Sequence, residues 1–522
     1  MKRIAIAAAL AIFAGLVPAT SQALTGCAQG QSGGEWPSYG GSIDNSRTQL
    51  DTSVSPEWVE GMELAWALPT SAVPGGSGTY SNTPVIADGC VYVATNSGVV
   101  MALNVETGAL VWGDKVAGGG QPLLGGVIVG SLAVADGVVF AGVSRPGTPY
   151  VTAWDQETGV RLWEATVESG QNNALINASP VVADGKVFMG FSGNEGGSVA
   201  RGGFAILDAS GPCGGDEFLG AVQILKCYDP VAGASGGTRL AYEHTISDAE
   251  YAAGYRGASI WCTAAIDPVD KYVYACGGNP ASKKIEHRYS NALLKIDFDE
   301  SRETFGTIVD SYKGDNDQYY PGLDRQPVCD AFGDQLVVVW SLACLQLDLD
   351  FGSSPNLFRD SLGNLVVGDL QKSGVYHAIY ADQMSRKWTQ IVGGPCLACN
   401  AASSAYAEVD GEGRVFGVST PGGTTYALQT EQGRYRWMQP VGDVVHFQAT
   451  STAGGVVFTI DNVGFLTMSD ASTGLILAKR NVMQDTNSSP FDQSSQGVAI
   501  AYDMVFVNQG SYTLAYHSPP SA

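Results

Sequence analysis

The chain has 522 residues, only 15% of them charged, and a formal net charge of −23. No basic cluster is present to neutralise phosphates, which argues against nucleic acid and anionic membrane surfaces as partners. With 67 glycines and few helical heptads, the composition calls for many short strands and tight turns.

In chain order, Lys2-Arg3 precede an apolar run from Ile4 to Val17, and Ser21-Gln22-Ala23 supplies a small-residue cleavage site. Residues 1–23 therefore read as a signal peptide. The run is too short to span a bilayer, so no transmembrane segment is expected. Leu24-Thr25-Gly26-Cys27 also resembles a bacterial lipobox, with Cys27 as the acylated residue. Cleavage after Ala23 leaves 10 cysteines, an even number that can pair fully. The ordinary signal peptide is favoured on that ground, with a periplasmic or secreted location, and a lipid anchor through Cys27 stays as the alternative. Proximity suggests the pairs Cys213/Cys227, Cys262/Cys276, Cys329/Cys344 and Cys396/Cys399, while the connectivity stays open.

Residues 24–60 are read as a lead-in segment, and 61–522 as one domain. The first outer strand, Leu64–Leu68, has no inner strands before it. Inner-strand signals, apolar runs around Ala-Asp-Gly or similar turns, follow at Pro84–Val93, Leu132–Gly142, Pro180–Gly190 and Gly455–Thr459. The last inner strands, Val498–Val507 and Tyr512–Tyr516, have no outer strand after them.

Between these runs a phrase recurs. Asn104-Val-Glu-Thr107-Gly108 is followed by Trp112, Asp155-Gln-Glu-Thr158-Gly159 by Trp163, and Gln429-Thr-Glu-Gln-Gly433 by Trp437. Asp470-Ala-Ser-Thr473-Gly474 is a degenerate copy. Repetition at a few tens of residues signals a propeller, solenoid or array. Asn or Asp opens the turn, glycine closes it, and the tryptophan wedges between neighbouring units. Outer-strand positions are expected at Trp66, Trp112, Trp163, Tyr242, Thr307, Trp388, Trp437 and Ala478. The expectation is an all-β, eight-bladed β-propeller whose N- and C-terminal strands complete one blade and close the ring. A flat β-sandwich would not explain the tryptophan repeat.

Five segments carry unusual polar residues inside apolar blades: Ser192-Gly-Asn-Glu195, Ile260-Trp261-Cys262, Gly277-Gly278-Asn279-Pro280, Asp348-Leu-Asp350-Phe351-Gly352 and Gln371-Lys372-Ser373-Gly374. Glu, Asn and Asp are hard oxygen donors that suit calcium or a similar cation. A tryptophan near a strand end offers a floor for a flat ring, and a lysine among glycines can bond a carbonyl or carboxylate. Each also has a plainer reading: Glu195 as a loop charge, Asn279 as a turn residue, Trp261 as core, Lys372 as solvated surface.

Together with Trp36-Pro-Ser-Tyr39-Gly40-Gly41, Asn45-Ser-Arg47, Arg201-Gly202 and Val367-Gly-Asp-Leu-Gln371, these segments resemble the pyrroloquinoline quinone-dependent alcohol dehydrogenases, most closely the polyvinyl alcohol dehydrogenase branch. The resemblance implies a metal, calcium or in some members a lanthanide, held by Glu195 and Asn279. Asp348 falls at the catalytic base and is a metal candidate as well, and Asp350 falls at the extra metal ligand. Trp261 falls where the cofactor stacks and Lys372 where a cation bonds the reactive quinone carbonyl. Arg145, in a loop that lacks the adjacent cysteines of some quinoproteins, and Arg201 are further cofactor-binding candidates. Haem-bearing relatives carry Cys-x-x-Cys-His, whereas here Cys396-Leu-Ala-Cys399 is followed by Asn400. A separate cytochrome c is therefore the implied electron acceptor, and a small or polymeric alcohol the implied substrate. Pro395–Ala405 and His377 depart from the family pattern near the expected pocket. A non-catalytic propeller scaffold and a sugar-binding propeller stay open as other function classes.

Overall fold

The computed structural model describes residues 24–118, 126–193, 201–213, 224–228, 231–280, 287–314, 349–394, 400–420, 422–442, 446–487 and 497–518. These residues form eight sheets, antiparallel except where Thr48–Gln49 pairs parallel with Ser451–Ala453. We number the blades 1 to 8 by their innermost strands: Val85–Ala87, Ala133–Ala135, Val181–Ala183, Ala265–Asp267, Asn356–Arg359, Ala405–Val409, Ser451–Ala453 and Ala499–Ala501. Each innermost strand touches the next, and the last touches the first. Blade 8 consists of Ala499–Ala501, Met504–Gln509 and Tyr512–His517, with Glu63–Pro69 as its outermost strand. The chain ends thus complete one blade, and no sheet edge is left open at the seam.

The inner hairpins follow from the sequence. Asp88, Asp136, Asp184 and Asp410 take φ of 46–55°, and the glycines after them take 68–77°. Two consecutive positive φ values make the turn whose twist matches the strands it joins, and Asp-Gly adopts it at little cost.

The outer turns repeat as the sequence suggests. Asn104 Oδ1 accepts the Glu106 and Thr107 N–H groups at 3.0 and 3.1 Å. Gly108 and Gly159 lie against Trp66 and Trp112 of the preceding blades, too close to admit a Cβ. The indoles then donate to backbone carbonyls of the next blade: Trp66 to Val105, Trp112 to Gln156, Trp388 to Thr430 and Trp437 to Ala471, at 2.7–2.9 Å.

Two outer positions differ from expectation. The ladder between the third and fourth strands shifts by one residue, opposing Ala102 to Trp112 and Ala153 to Trp163. By the same register the docking position of blade 3 is Ala241, not Tyr242, and it meets Gly306. That of blade 4 is Asp310, and Thr307 lies before the strand Ile308–Lys313.

Disulfides join Cys213 to Cys227 and Cys262 to Cys276, as proximity suggested, and Cys27 to Cys90. The last bond corrects the lipid-anchor alternative, since a sulfur bonded to Cys90 is not available for a lipid thioether. Cys329, Cys344, Cys396 and Cys399 lie outside the described residues. Among the described residues no helix is long and apolar enough to cross a membrane.

The segment after Cys27 closes one end of the central channel. Backbone N–H groups of Tyr502, Ile86, Val134, Ile266, Leu357, Tyr406 and Thr452 donate in turn to the carbonyls of Gly34, Trp36, Pro37, Ile43, Asp44, Ser46 and Arg47, at 2.7–3.0 Å. Six innermost strands, those of blades 1, 2, 4, 5, 6 and 7, and the hairpin turn after that of blade 8 are tied to one stretch of chain in this way. Arg47 is fully buried. It donates to the carbonyls of Tyr39, Thr450 and Val498 and to Ser451 Oγ. Its guanidinium packs over the rings of Trp36 and Tyr39. Burial without a carboxylate partner lowers its pKa to about 10.

Candidate active site

The polar segments sit where blades 4 and 5 begin their innermost strands. Trp261 precedes Ala265–Asp267, and Asp350 precedes Asn356–Arg359. Asn279 follows the second strand of blade 4, Tyr272–Gly277. Lys372 lies in the turn between Leu365–Leu370 and Val375–Tyr380 of blade 5. That turn is closed by a Gly374 N–H to Gln371 carbonyl bond of 2.9 Å, with Gly374 at φ 84°.

Backbone pairing sets the register between these segments. Phe351 bridges Gln371, and the Lys372 N–H donates to the Asp350 carbonyl at 3.1 Å. The Gly278 N–H donates to the Ser259 carbonyl at 2.7 Å, and the Ala258 N–H to the Asn279 carbonyl at 3.0 Å. Gly257 bridges both Pro280 and Arg201. Asn279 is thereby aligned with the strand that leads into Trp261, and the disulfide from Cys262 to Cys276 pins the next residue.

Three side chains converge. Lys372 Nζ stands 2.6 Å from Asp350 Oδ1. Trp261 Nε1 donates to Asp350 Oδ2 at 2.8 Å. The ammonium also lies 4.8 Å from the centre of the Trp261 ring, within cation–π range. Asp350 is 0% exposed and Lys372 5%, so the plainer reading of Lys372 as solvated surface fails. Trp261 and Asn279 are partly exposed. Gly352 packs tightly here: a Cβ would stand 3.0 Å from Cγ and Cε of Lys372 and would press on that side chain.

Further residues brace the trio. Gln371 Nε2 donates to the Leu349 carbonyl at 2.5 Å, while its Oε1 meets His377 Nε2 at 2.9 Å. His377 Nδ1 lies 3.2 Å from the Tyr312 hydroxyl. The departure at His377 thus has a role, supporting the segment that presents Asp350. Asn400 holds the other side. Its amide donates to the carbonyls of Lys372 and Gly394 at 3.3 and 2.9 Å, and its Oδ1 accepts the Thr420 N–H at 3.1 Å. Asn400 is fully buried at φ 54°. Asparagine is one of the few side chains tolerant of that backbone.

The remaining candidates stand apart. The Arg201 guanidinium turns to the Ile246 carbonyl and Asp248, at 2.6 and 2.5 Å, and packs over Tyr251. Arg145 donates to Thr148 Oγ1 at 2.8 Å and packs over Tyr150. Glu195 and Asp348 lie outside the described residues. Among the described residues no three His, Cys, Asp or Glu side chains cluster as a metal site.

Sequence reasoning missed a partly buried network beside Arg201. Gln171 clamps the Arg201 backbone, accepting its N–H at 2.7 Å and donating to its carbonyl at 3.0 Å. Glu168 accepts from the Tyr242 hydroxyl at 2.5 Å and meets His244 Nε2 at 2.8 Å. Burial alone would raise the Glu168 carboxyl, but the hydrogen bonds from His244, Tyr242 and the Gly170 N–H outweigh it and hold the pKa at about 2. Nothing local marks this network, because Glu168 and Gln171 follow the outer strand of blade 2 while Tyr242 and His244 lie in the outer strand of blade 3.

A family profile described as outer membrane protein assembly factor BamB matches residues 56–213. The polyvinyl alcohol dehydrogenase of a Pseudomonas species is 25% identical, over 91% of this chain and 73% of that protein. The dehydrogenase subunit of the quinone-type alcohol dehydrogenase of Gluconobacter oxydans is 27% identical, over 53% of this chain and 38% of its own length. Among solved structures, a quinohemoprotein alcohol dehydrogenase of Pseudomonas putida superposes with a TM-score of 0.66 at 15% identity, covering 94% of this chain and 81% of that one. BamB of Moraxella catarrhalis gives 0.52 at 13% identity, covering 87% and 99%. By sequence the chain is similar to polyvinyl alcohol dehydrogenase and quinone-type alcohol dehydrogenases, and it shares the propeller fold of a quinohemoprotein alcohol dehydrogenase.

Proposed function

We propose that the chain is a quinoprotein dehydrogenase that oxidises alcohols, secondary alcohols or polyvinyl alcohol-type polymers in particular. The observation that supports this best is the convergence of Asp350, Lys372 and Trp261 at one end of the ring. A partly exposed indole beside a buried carboxylate and an ammonium suits a planar, carbonyl-bearing cofactor. The donor set of Asn279 and Asp350, with Glu195 and Asp348 from segments outside the described residues, is all hard oxygen and suits calcium or a lanthanide. When bound, pyrroloquinoline quinone supplies the hydride acceptor, and the metal polarises its carbonyl.

The chain's own residues supply position and a base. Trp261 offers the stacking surface. Lys372 offers the cation, held in place by Asp350 and by Asn400 behind its backbone. A carboxylate must take the proton of the alcohol hydroxyl as the carbon gives up hydride. Family position gives that role to Asp348. Asp350 is fully buried with its two oxygens on Lys372 and Trp261, which suits it to holding the lysine, and we leave the base with Asp348. The electrons leave to a separate cytochrome c, consistent with Asn400 in place of a haem-ligating histidine. The disulfides suit an oxidising compartment, the periplasm or the exterior.

The test is a pair of variants assayed for dye-linked alcohol oxidation. Asp348→Asn is expected to keep the cofactor and lose turnover by about 10²–10⁴-fold, the usual cost of a lost general base. Normal turnover in Asp348→Asn together with a dead Asp350→Asn moves the role to Asp350. The scaffold reading draws on the BamB likeness. It gives no reason for an ion pair buried under a partly exposed tryptophan.

A further inference from the structure

The N-terminal segment that closes the channel also forms one wall of a second cleft. The innermost strands of blades 4 and 5 begin beside Trp261 and Phe351 and end at Asp267 and Arg359. Both of these end residues line a cleft of about 510 Å³, together with Asp44, Ser46, Thr48 and Leu50. The cleft therefore lies at the opposite end of the ring from the candidate active site. Its size is that of a small-molecule site.

The lining is chemically selective. Leu357 and Phe358 give it an apolar wall. Three carboxylates, Asp44, Asp267 and Glu408, line the cleft with one guanidinium, that of Arg359, and Asp44 is held by Ser42 and Ser46. Arg359 is already engaged, donating from Nη1 to the Gly363 carbonyl at 2.9 Å. Asp267 is the telling group. It is only 3% exposed. Its Oδ1 accepts the Val269 N–H at 3.0 Å, whereas its Oδ2 accepts no hydrogen bond among the described residues. A buried carboxylate oxygen lacking a donor is costly, and a ligand that brings an N–H removes the cost.

We propose that this cleft binds a small organic ammonium ion, a primary amine on a hydrocarbon body. The ammonium donates to Asp267 and the hydrocarbon lies on Leu357 and Phe358. The excess of carboxylates selects a cation over a neutral hydroxyl compound. The apolar wall, with little to offer a bare metal ion, selects an organic one. The proposal does not depend on the quinoprotein reading, since none of these residues belongs to that site.

Calorimetric titration of the full chain with n-hexylammonium, n-hexanol and calcium tests it. One saturable site for hexylammonium is expected, at least about tenfold tighter than for hexanol, a difference of one charge-assisted hydrogen bond. Asp267→Asn should weaken hexylammonium about tenfold and leave hexanol unchanged. Should that variant fail to fold, Glu408→Gln at the rim is expected to weaken hexylammonium by about threefold through reduced charge. Equal binding of the amine and the alcohol overturns the proposal. So does undiminished amine binding in a folded Asp267→Asn, or displacement of the amine by equimolar calcium.

Discussion

At the scale of single residues, the account rests on Asp350, Lys372 and Trp261. A buried ion pair is costly to break because the survivor is left charged and unsolvated. Lys372→Ala is therefore expected to lower stability by about 3–5 kcal/mol in chemical denaturation, on the precedent of broken buried pairs. A fall below about 1 kcal/mol would mean the pair is solvated. Glu168 gives a pH prediction of definite sign. Its folded pKa of about 2 lies below the ordinary carboxylate value of 4.5. Its stabilisation is therefore complete above about pH 4.5 and lost as pH falls toward 2. The stability gap between the native chain and Glu168→Gln should be widest near neutral pH and close through that window; a gap constant from pH 7 to 3 would contradict it. The motifs around Trp261, Asn279 and Lys372 were legible in the sequence because turn glycines and prolines bracket unusual polar residues. The choice between Asp348 and Asp350 was not. In an extended segment residues two apart share a face, so spacing alone treats both alike. The cross-strand pairing of Phe351 with Gln371 sets Asp350 beside Lys372, while Asp348 lies outside the described residues.

At the scale of elements, the tryptophan repeat carries inter-blade docking. Trp437 packs on Gly474 and donates to the Ala471 carbonyl at 2.9 Å. Trp437→Ala is expected to cost about 3–5 kcal/mol, as for other large buried aromatics. Ala478 already stands at the equivalent place in blade 7, so Ala478→Gly should cost only about 1 kcal/mol. Thermal unfolding of the two variants checks the difference. The repeat made six of the eight outer positions readable. Blades 3 and 4 escaped because they carry Ala241 and Asp310 where a tryptophan would announce the register. In blade 3 the insertion that holds Ile224–Cys227 also separates the third strand from the fourth. No counting rule survives both the missing ring and the one-residue shift of the ladder.

At the scale of the whole molecule, the ring is closed twice, by the shared blade 8 and by the N-terminal segment across the channel. The first closure was visible in the sequence as unmatched strands at the two ends. The second was not, because Trp36–Arg47 is irregular and its bonds are to distant backbone. Arg47→Leu should cost about 2–4 kcal/mol by leaving several buried carbonyls without donors, measured by denaturant unfolding. Electron transfer is likewise a property of the whole surface. With a net charge of −23, a basic cytochrome c should lose encounter rate as ionic strength rises. The most direct measurement of the central claim is a single turnover. Apo-protein is mixed with pyrroloquinoline quinone and calcium, freed of excess cofactor, and given a secondary alcohol without oxygen. The account predicts one retained quinone per chain, whose absorbance changes to the reduced form on adding alcohol and recovers with an artificial electron acceptor. A chain that retains no quinone, or retains it unreduced by every alcohol tried, would contradict the account.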